Sequence, residues 1–389
     1  MLIAFIIGTR PEAIKQAPVI LEARRREAKG SRVESLVIST GQHREMLVPI
    51  LDLFGITPDV DLGLMQPNQT LADLTARALT NLEELLQDTR PDVVVVQGDT
   101  STAMAGALAA YYLKIPVAHV EAGLRTGDPY APFPEEINRR IIGQIARFHF
   151  APTPGAAEAL AAEQLPAPNH ARAHVLVTGN TVIDALLEAE ARLEENPLDH
   201  PDLREVQEWK RAGTERKFVL VTGHRRENFG DPFGQFCMGL RDIADRRPDA
   251  LVLYPMHLNP NVRQPVTELL SGRQNIHLTE PADYPLFVSL MREADLVITD
   301  SGGVQEEAPA LGVPVLVTRE RTERPEAVEA GAVELVGPNR ARILDAALRF
   351  LDAETMERKR IFPYGDGRAA ERCLDALMGI EGTPFKPAG

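Results

Sequence analysis

Ser301, Gly302 and Gly303 have the composition of a phosphate-binding turn, because they separate an apolar run from a helical pattern. Backbone amides at the start of such a helix are exposed donors, and the helix dipole favours an anion there. We expect Glu306 and Glu307 in the first turn of that helix, where a carboxylate either caps the helix or accepts hydrogen bonds from vicinal ribose hydroxyls. The segment therefore predicts half of a nucleotide site, with an ordinary strand-to-helix turn as the alternative.

A second set of candidates combines three carboxylates with one histidine, namely Asp99, Glu121, Glu135 and His224. Such a set can move protons, since removal of a weakly acidic C–H proton needs a base and expulsion of a leaving group needs charge stabilisation. Glu121 follows an apolar run directly and lies among small residues. Structural alternatives exist for two of the others, because Asp99 could cap a helix and Glu135 could merely open one.

The cations best placed to meet phosphate are Arg10, Lys15 and Arg324. Arg10 and Lys15 flank the predicted start of one helix, and a guanidinium group binds phosphate oxygens in pairs. The formal net charge of −14 argues against a general nucleic-acid or anionic-membrane surface. A phosphate must therefore be met by a local basic pocket, which indicates a small anionic substrate.

Short apolar runs rich in β-branched residues alternate with helical patterns, which is the rhythm of a parallel sheet. The runs of the first half are 2–7, 33–39, 93–97, 116–120, 147–151 and 174–178, and those of the second half are 218–222, 250–255, 275–278, 295–299, 314–317 and 332–336. A more polar, helix-rich stretch at 185–216 separates the halves. The pattern predicts two doubly wound α/β domains, with ligands beyond the carboxyl ends of the strands and a cleft between the domains.

The length of 389 residues suits two domains, and 44% hydrophobic with 25% charged residues is typical of a soluble globular protein. No apolar run reaches the roughly 18 residues that a membrane helix needs. Residues 1–8 have no basic lead-in and no small-residue cleavage site, so we expect no signal peptide and a cytoplasmic protein.

Several motifs are missing from the sequence. No G-x-G-x-x-G follows the first strand, no G-x-x-x-x-G-K-[ST] occurs, and no His or Asp cluster has metal-ligand spacing. Cys237 and Cys373 lie far apart, so we expect neither a zinc ribbon nor a disulfide scaffold, and we expect both thiols to be buried. These absences argue against dinucleotide chemistry, P-loop ATP chemistry and a metal site, and we expect no cofactor.

Ten motifs occur in order along the chain. They are 8–15 (GTRPEAIK), 42–47 (QHREML), 98–100 (GDT), 119–126 (HVEAGLRT), 134–139 (PEEINR), 179–184 (GNTVID), 221–227 (VTGHRRE), 257–263 (HLNPNVR), 299–307 (TDSGGVQEE) and 322–327 (TERPEA). Together they resemble the non-hydrolysing UDP-N-acetylglucosamine 2-epimerases of bacteria, and the resemblance covers the whole chain.

The resemblance implies two Rossmann-like domains of the GT-B type that face a cleft. Residues 1–178, joined by a C-terminal helix at 367–389, would form the first domain, and residues 179–366 would form the UDP-binding second domain. The implied reaction is reversible conversion of UDP-N-acetylglucosamine to UDP-N-acetylmannosamine, without any nicotinamide. In the family, UDP and the C2 proton are eliminated to leave bound 2-acetamidoglucal, and both then add back. Domain closure should accompany turnover, because the free intermediate must be retained.

The resemblance also implies roles for individual residues. Asp99, Glu121 and Glu135 are the acid/base candidates for the two faces of C2, with the assignment to faces open, and His224 assists the diphosphate. The implied contacts to the UDP-sugar are Arg10, Lys15, Phe287, Ser301, Gly302, Gly303, Glu307 and Arg324. Among these, Glu307 takes the ribose hydroxyls.

Some relatives bind a second UDP-N-acetylglucosamine as an activator, and most relatives are homodimers formed through the first domain. The positions that match the activator contacts are Gln42, Glu136, Arg225 and His257. Glu45 and Asn68 depart from that pattern, which puts activation in question.

Three other functions compete with the implied one. A GT-B glycosyltransferase that uses a UDP-sugar would share the fold, but it needs an acceptor groove, and only 5% of the residues are aromatic. A hydrolysing UDP-N-acetylglucosamine 2-epimerase would release free N-acetylmannosamine, and product analysis distinguishes it. A sensor that has lost catalysis is disfavoured, because the three carboxylates and His224 are all retained.

Overall fold

A computed structural model describes residues 1–41, 44–66, 69–163, 165, 173–223, 225, 229–322, 324–352 and 358–387, with the backbone alone at residues 44–46. The chain divides into two compact units. The N-terminal unit comprises Met1–Glu188 and Tyr364–Pro387, and the C-terminal unit comprises Ala189–Pro363. The boundary expected from the sequence, between residues 178 and 179, lies just before helix α7 (Thr181–Glu195), whereas the division by contacts falls within that helix.

The N-terminal unit contains a seven-stranded parallel sheet in the order β3-β2-β1-β4-β5-β6-β7. Its strands are β1 (Leu2–Ile7), β2 (Glu34–Ser39), β3 (Val60–Asp61), β4 (Val93–Gln97), β5 (Val117–Val120), β6 (Phe148–Ala151) and β7 (His174–Val177). The accompanying helices are α1 (Arg10–Ala28), α2 (Arg44–Phe54), α3 (Leu71–Thr89), α4 (Ser101–Tyr112), α5 (Glu135–Ile145), α6 (Pro154–Ala162) and the start of α7. The strand order reverses between β1 and β4, which is the switch point where ligands of such sheets bind.

The C-terminal unit contains a six-stranded parallel sheet in the order β10-β9-β8-β11-β12-β13. Its strands are β8 (Lys217–Thr222), β9 (Ala250–Pro255), β10 (Ile276–Thr279), β11 (Leu296–Thr299), β12 (Val315–Val317) and β13 (Val333–Leu335). Its helices are α8 (Pro201–Arg211), α9 (Asp231–Arg246), α10 (Pro260–Leu270), α11 (Tyr284–Glu293), α12 (Gly302–Ala310), α13 (Pro325–Glu329) and α14 (Arg340–Asp352). Here the order reverses between β8 and β11.

The central strands form the cores of both units. Every residue of β4 and of β11 is buried, because helices cover both faces of each sheet. A strand that is buried on both faces can carry polar chemistry only where it ends. The side chains that follow β4, β5 and β11 at their carboxyl ends are therefore the ones that the fold makes available for function.

The predicted fold class, two doubly wound α/β domains of the Rossmann type, is confirmed. Each of the twelve apolar runs identified in the sequence matches one of the observed strands to within one residue at either end. Strand β3 was missed, because it has only two residues and pairs at the sheet edge with β2 alone.

After the C-terminal unit the chain returns to the N-terminal unit in helix α15 (Ala369–Leu377). The Arg26 guanidinium of α1 forms an ion pair with Asp375 of α15 at 2.8 Å. The expected helix at 367–389 was too long: Gly379, with φ of 71°, follows the helix end, since glycine adopts the left-handed conformation that terminates helices. Beyond it, the Phe385 N–H donates to the Val177 carbonyl oxygen of β7 at 2.8 Å.

Both cysteines are buried, as expected, and burial raises the pKa of Cys237 to about 12. Within the described ranges, no three His, Cys, Asp or Glu side chains are grouped so that they could hold a metal ion. None of the helices in the same ranges is long and apolar enough to span a bilayer.

Candidate active site

Asp99 lies in the loop that joins β4 to α4, where three contacts fix it. His119 Nε2 lies 2.7 Å from the carbonyl oxygen of Gly98, and Asn138 Nδ2 donates to the carbonyl oxygen of Asp99 at 2.9 Å. The Asp99 carboxylate forms an ion pair with Arg139 of α5. Neighbouring β5 and α5 therefore set both the backbone and the side chain of this loop.

The structural alternative for Asp99, a cap of the following helix, is wrong. The residue that caps α4 is Thr100, whose Oγ1 accepts the Ala103 N–H at 3.0 Å. Asp99 stands one residue earlier, with its side chain 26% exposed. Its carboxylate is thus not used by the helix and remains accessible, as proton transfer to a substrate requires.

Glu121 follows β5 directly and adopts φ of 62°, a left-handed conformation that is uncommon outside glycine. Its carboxylate forms an ion pair with Lys15 of α1 and accepts hydrogen bonds from Gln97 Nε2 at 2.5 Å and Asn180 Nδ2 at 3.1 Å. The side chain is 6% exposed. Such backbone strain costs about 1–3 kcal/mol and persists only where the surroundings determine it, often at functional sites. Glu121 is therefore held in one place by donors from α1, β4 and the loop before α7.

Glu12 ties the turn after β1 to the loop after β4. Its Oε2 accepts the N–H groups of Gly8 at 2.8 Å and Thr9 at 2.6 Å, and the Thr100 hydroxyl donates to its Oε1 at 2.5 Å. Burial raises the pKa of Glu12, although these hydrogen bonds favour the ionised form. Arg10, in the first turn of α1, is exposed. The start of α1 thus presents Arg10 to solvent from a turn that a buried carboxylate fixes.

Glu135 and Glu136 open α5, as expected. Glu136 is fully buried and accepts the Thr126 N–H at 3.1 Å and a bond from Arg140 at 2.9 Å. Burial by itself raises the pKa of Glu136, but the Thr126 amide, Arg140 and the charge of Arg139 lower it further than burial raises it. Glu135 is half-buried, and its Oε2 has no hydrogen-bond partner among the described residues. Of the two, Glu135 is the one that retains a buried carboxylate oxygen without a hydrogen-bond partner among the described residues.

His119 and His149 form a register pair on β5 and β6, and both are buried. Burial lowers the pKa of His119 to about 3 and that of His149 to about 4, so both rings are neutral near pH 7. Since the carbonyl oxygen of Gly98 can only accept, the proton of His119 lies on Nε2. His119 is therefore a neutral donor that fixes the loop before Asp99.

The turn Ser301–Gly303 lies at the carboxyl end of β11, as predicted. Ser301 is the N-cap of α12, its N–H donates to Thr299 Oγ1 at 2.9 Å, and Gln305 Nε2 donates to its carbonyl oxygen at 3.1 Å. The helix begins at Gly302, so the expectation that Glu306 and Glu307 occupy its first turn is wrong. Both glycines are themselves helical, which moves the two glutamates into the second turn.

The Arg324 guanidinium lies over the start of α12. Its Nε donates to Glu306 Oε1 at 2.5 Å, and a Cβ added at Gly302 would be 2.6 Å from Nη1. The Arg324 N–H donates to Thr322 Oγ1 at 3.1 Å, which anchors its backbone. Helix amides and a guanidinium thus meet at one point, and both favour a phosphate there.

Glu307 faces α11. The Tyr284 hydroxyl donates to Glu307 Oε1 at 3.1 Å, and burial raises the pKa of Tyr284 well above its usual value, so the phenol stays a donor. Phe287 lies one turn further along α11 and is half-buried. Residues three apart share a helix face. Phe287 therefore lies on the same face of α11 as Tyr284, the residue that binds Glu307.

Two of the predicted site residues, His224 and Gln42, lie outside the described residues. Close to His224, the Arg225 N–H donates to Asp300 Oδ2 at 2.8 Å, and the Tyr254 hydroxyl donates to the Gly223 carbonyl oxygen at 2.6 Å. His257 Nδ1 accepts the Asn259 N–H at 3.1 Å.

The structure groups the remaining candidates by unit. In the N-terminal unit, Glu121 forms an ion pair with Lys15, the residue for which the family resemblance implies a contact with UDP. In the C-terminal unit, Gly302 and Arg324 meet, and Glu307 lies one position beyond the glutamate that Arg324 binds. The roles of the individual site residues stay predictions.

Sequence reasoning missed several residues that hold the candidates in place, namely Glu12, Gln97, His119 and Asn180. One signal was present for Gln97, because it ends a run of four valines that otherwise reads as a strand buried on both faces. A polar side chain at such a position has to find a buried partner.

Comparison with known proteins gives concordant results. The chain matches the family model described as UDP-N-acetylglucosamine 2-epimerase over residues 25–378. It is similar to the UDP-N-acetylglucosamine 2-epimerase of Yersinia pestis, with 49% identity over 98% of this chain and 100% of the relative.

Two solved structures have the same architecture. One is a putative UDP-N-acetylglucosamine 2-epimerase from Listeria monocytogenes, with 42% identity and a TM-score of 0.85 over 97% of this chain and 96% of that one. The other is the UDP-GlcNAc 2-epimerase from Neisseria meningitidis bound to UDP-GlcNAc, with 43% identity and a TM-score of 0.84 over 97% of this chain and 100% of that one.

Proposed function

The chain belongs to the UDP-N-acetylglucosamine 2-epimerase family, and from this premise we propose that it interconverts UDP-N-acetylglucosamine and UDP-N-acetylmannosamine by elimination and re-addition of UDP, without net hydrolysis. In the first half-reaction, a carboxylate accepts the C2 proton. The C1–O bond breaks with its electron pair on the diphosphate, and a C1=C2 double bond forms. In the second half-reaction, UDP adds back to C1 while a proton returns to the opposite face of C2.

One observation carries the proposal, which is the position of the Arg324 guanidinium against Gly302 at the start of α12. Elimination needs charge stabilisation on the departing diphosphate, and re-addition needs the same diphosphate to be retained. Helix amides and a guanidinium that meet at one point serve both needs. Glu307, which the Tyr284 hydroxyl positions, would take the ribose hydroxyls, and the Phe287 ring would contact the base.

Proton transfer at the two faces of C2 needs two carriers. Asp99, Glu121 and Glu135 follow strands or open a helix in the N-terminal unit, and each differs in its surroundings. Asp99 is paired with Arg139 and partly exposed, whereas Glu121 is surrounded by donors and Glu135 retains a buried acceptor. Groups in such different surroundings suit a reaction in which one carrier removes a proton and another supplies one.

Proton NMR in heavy water tests the proposal. The protein is incubated with UDP-N-acetylglucosamine, and the anomeric and C2 signals of the sugar are followed. Epimerisation by elimination predicts a UDP-N-acetylmannosamine signal and deuterium at C2 of both epimers. Free N-acetylmannosamine as the main product would favour the hydrolysing alternative, and no reaction without an added acceptor would favour the glycosyltransferase.

We further propose a homodimer, since relatives are usually dimeric, and light scattering during gel filtration measures the mass directly.

Activation by a second UDP-N-acetylglucosamine predicts a sigmoidal dependence of the rate on substrate concentration, and a hyperbolic dependence would exclude it. Glu136, one of the matching positions, is already bound to Thr126 and Arg140, so an activator would have to exchange those contacts.

A further inference from the structure

The Glu121 carboxylate receives donors from three separate segments of the chain, and two of those donors are neutral amides without an assigned role. We propose that Gln97 and Asn180 are positioning residues that hold the Glu121 carboxylate in a single orientation for proton transfer at C2. The inference rests on the proposed function, because it concerns the proton step of that reaction.

The side-chain amides of Gln97 and Asn180 are buried, and burying a polar amide costs free energy unless it finds a hydrogen-bond partner. Gln97 and Asn180 are each 2% exposed, and Glu121 is 9% exposed. A buried amide without a partner costs roughly 1–3 kcal/mol. Gln97 follows four buried valines of β4, so an apolar side chain would suit the sheet better. The amide is explained by its hydrogen bond to Glu121 Oε2 at 2.5 Å.

The orientation of the Asn180 amide is fixed by its other contacts. Its Oδ1 accepts the Val182 N–H at 3.0 Å, so its Nδ2 is the atom that faces Glu121 Oε1, at 3.1 Å. The Asn180 N–H in turn donates to the Tyr364 carbonyl oxygen at 2.6 Å. A carboxylate only accepts hydrogen bonds, so the donor direction is unambiguous.

The two amides supply what Lys15 alone does not. The Lys15 ammonium is a compact charge on a flexible stem, and it favours the ionised carboxylate without fixing the plane of the group. Gln97 and Asn180 bind the two different oxygens of Glu121, which defines that plane. A proton carrier must be held to within about 0.5 Å of its productive position, and Glu121 sits on a strained backbone that gives it little freedom to compensate.

Two substitutions remove the donors with little change in shape, Gln97→Met and Asn180→Asp. Asn180→Asp keeps the acceptor for Val182, replaces the donor with an acceptor and brings a second carboxylate against Glu121, whereas Gln97→Met removes the other donor without adding charge. We expect each variant to lower kcat roughly ten- to a hundredfold, the range for a mispositioned catalytic group, with KM within about twofold of wild type. We also expect a larger kinetic isotope effect with C2-deuterated substrate for at least one of the two epimers, because the proton step becomes slower relative to the other steps.

The matched control is Asn275→Asp in the C-terminal unit. The Asn275 amide donates to three carbonyl oxygens, those of Ala244, Arg247 and Ala250, at 3.0, 3.3 and 3.1 Å. Loss of these bonds should lower the thermal midpoint at least as much as Asn180→Asp does. At temperatures where the protein is folded, Asn275→Asp should leave kcat and the isotope effect unchanged. If Asn180 had only a structural role, Asn180→Asp would leave them unchanged as well.

The outcomes separate this inference from the proposed function. If the wild-type protein does not exchange the C2 proton, the proposed reaction and the positioning role of the two amides are both wrong. If the wild type exchanges it but both variants keep normal kcat and a normal isotope effect, only the positioning role is overturned. Should Asn180→Asp fail to fold because two carboxylates meet, Asn180→Ser replaces it, since the hydroxyl can still accept the Val182 N–H.

Discussion

The Arg324 guanidinium and the Gly302 backbone are so close that a Cβ at Gly302 would lie 2.6 Å from Nη1 and 2.8 Å from Cζ. Glu306 holds the same guanidinium from the next turn of α12. Glycine at residue 302 thus leaves space for the end of the Arg324 side chain, and an alanine there would displace the guanidinium without straining the helical backbone.

Gly302→Ala should therefore displace Arg324 and weaken UDP binding by about tenfold, ~1.4 kcal/mol. Calorimetric titration with UDP measures the change. Gly234→Ala in α9 is the control, because no atom lies within 4 Å of the added Cβ and alanine favours a helix. Equal UDP affinity in wild type and Gly302→Ala would show that Arg324 does not contact the diphosphate.

Asp99→Asn and Glu121→Gln should each lower kcat at least about a hundredfold, because a neutral amide cannot accept a proton at C2. UDP affinity, which we attribute to the C-terminal unit, should change little. Asp245→Asn is the control carboxylate, since its ion pair with Arg273 is exposed and contributes little. Near-normal turnover of either variant would remove that residue from the proton path.

Asp184 makes the stability of the protein depend on pH in an unusual direction. Burial raises its pKa to about 7, although the Ala370 and Ala369 amides favour the ionised form. The folded state therefore binds the proton more tightly than the unfolded chain, where the usual value is 3.8. The contribution of Asp184 to the stability of the folded state is therefore fully present below pH 3.8 and is lost as the pH rises to about 7.

Asp184→Asn keeps an acceptor for the Ala370 N–H, which lies 2.8 Å from Oδ1, and carries no charge at any pH. The variant should exceed the wild type in free energy of unfolding at pH 8, by an amount on the order of 2 kcal/mol, and the difference should shrink towards pH 5. Urea denaturation at the two pH values measures it. A difference that is the same at both would mean that Asp184 does not titrate in this range.

Gly365→Ala should impair catalysis from a distance. The added Cβ would lie 3.1 Å from the Asn180 carbonyl oxygen and 3.3 Å from its nitrogen, so Asn180 would have to move, and with it a donor to Glu121. We expect kcat to fall several-fold, in the direction of Asn180→Asp, with UDP affinity preserved. Gly382→Ala is the control, since its nearest contact is an ordinary 3.7 Å to Asp375.

Local pattern was sufficient to predict the strands and the phosphate turn. A run such as Val93–Gln97 can be recognised in isolation, because a parallel strand that helices cover on both faces is continuously apolar. The turn at Ser301–Gly303 could be located for the same reason, since it follows such a run. Its helix was placed too late because glycine lowers helix propensity, although Gly302 and Gly303 open α12.

The contacts of Glu121 could not be predicted, because they depend on which strands are neighbours. Gln97 lies beside Val120 only because β4 and β5 pair in that register, and Asn180 reaches Glu121 from 59 positions along the chain. No local sequence pattern predicts the strand register that places Gln97 beside Val120 or the long-range contact between Asn180 and Glu121. The left-handed backbone of Glu121 is likewise imposed by its surroundings, since glutamate has no preference for it.

The bond from Asn180 to Tyr364 and the bond from Asp184 to Ala370, which joins residues 186 positions apart, mean that the N-terminal unit is not contiguous in sequence. During synthesis its sheet can form early, but Asn180 lacks its backbone partner until the whole C-terminal unit has been translated. In a nascent or prematurely ended chain, the three carboxylates would thus be present, but Asn180 would lack the backbone bond that holds it in place beside Glu121. Competence for proton transfer would be acquired last, as the returning segment docks, and the enzyme would become active only once both units exist.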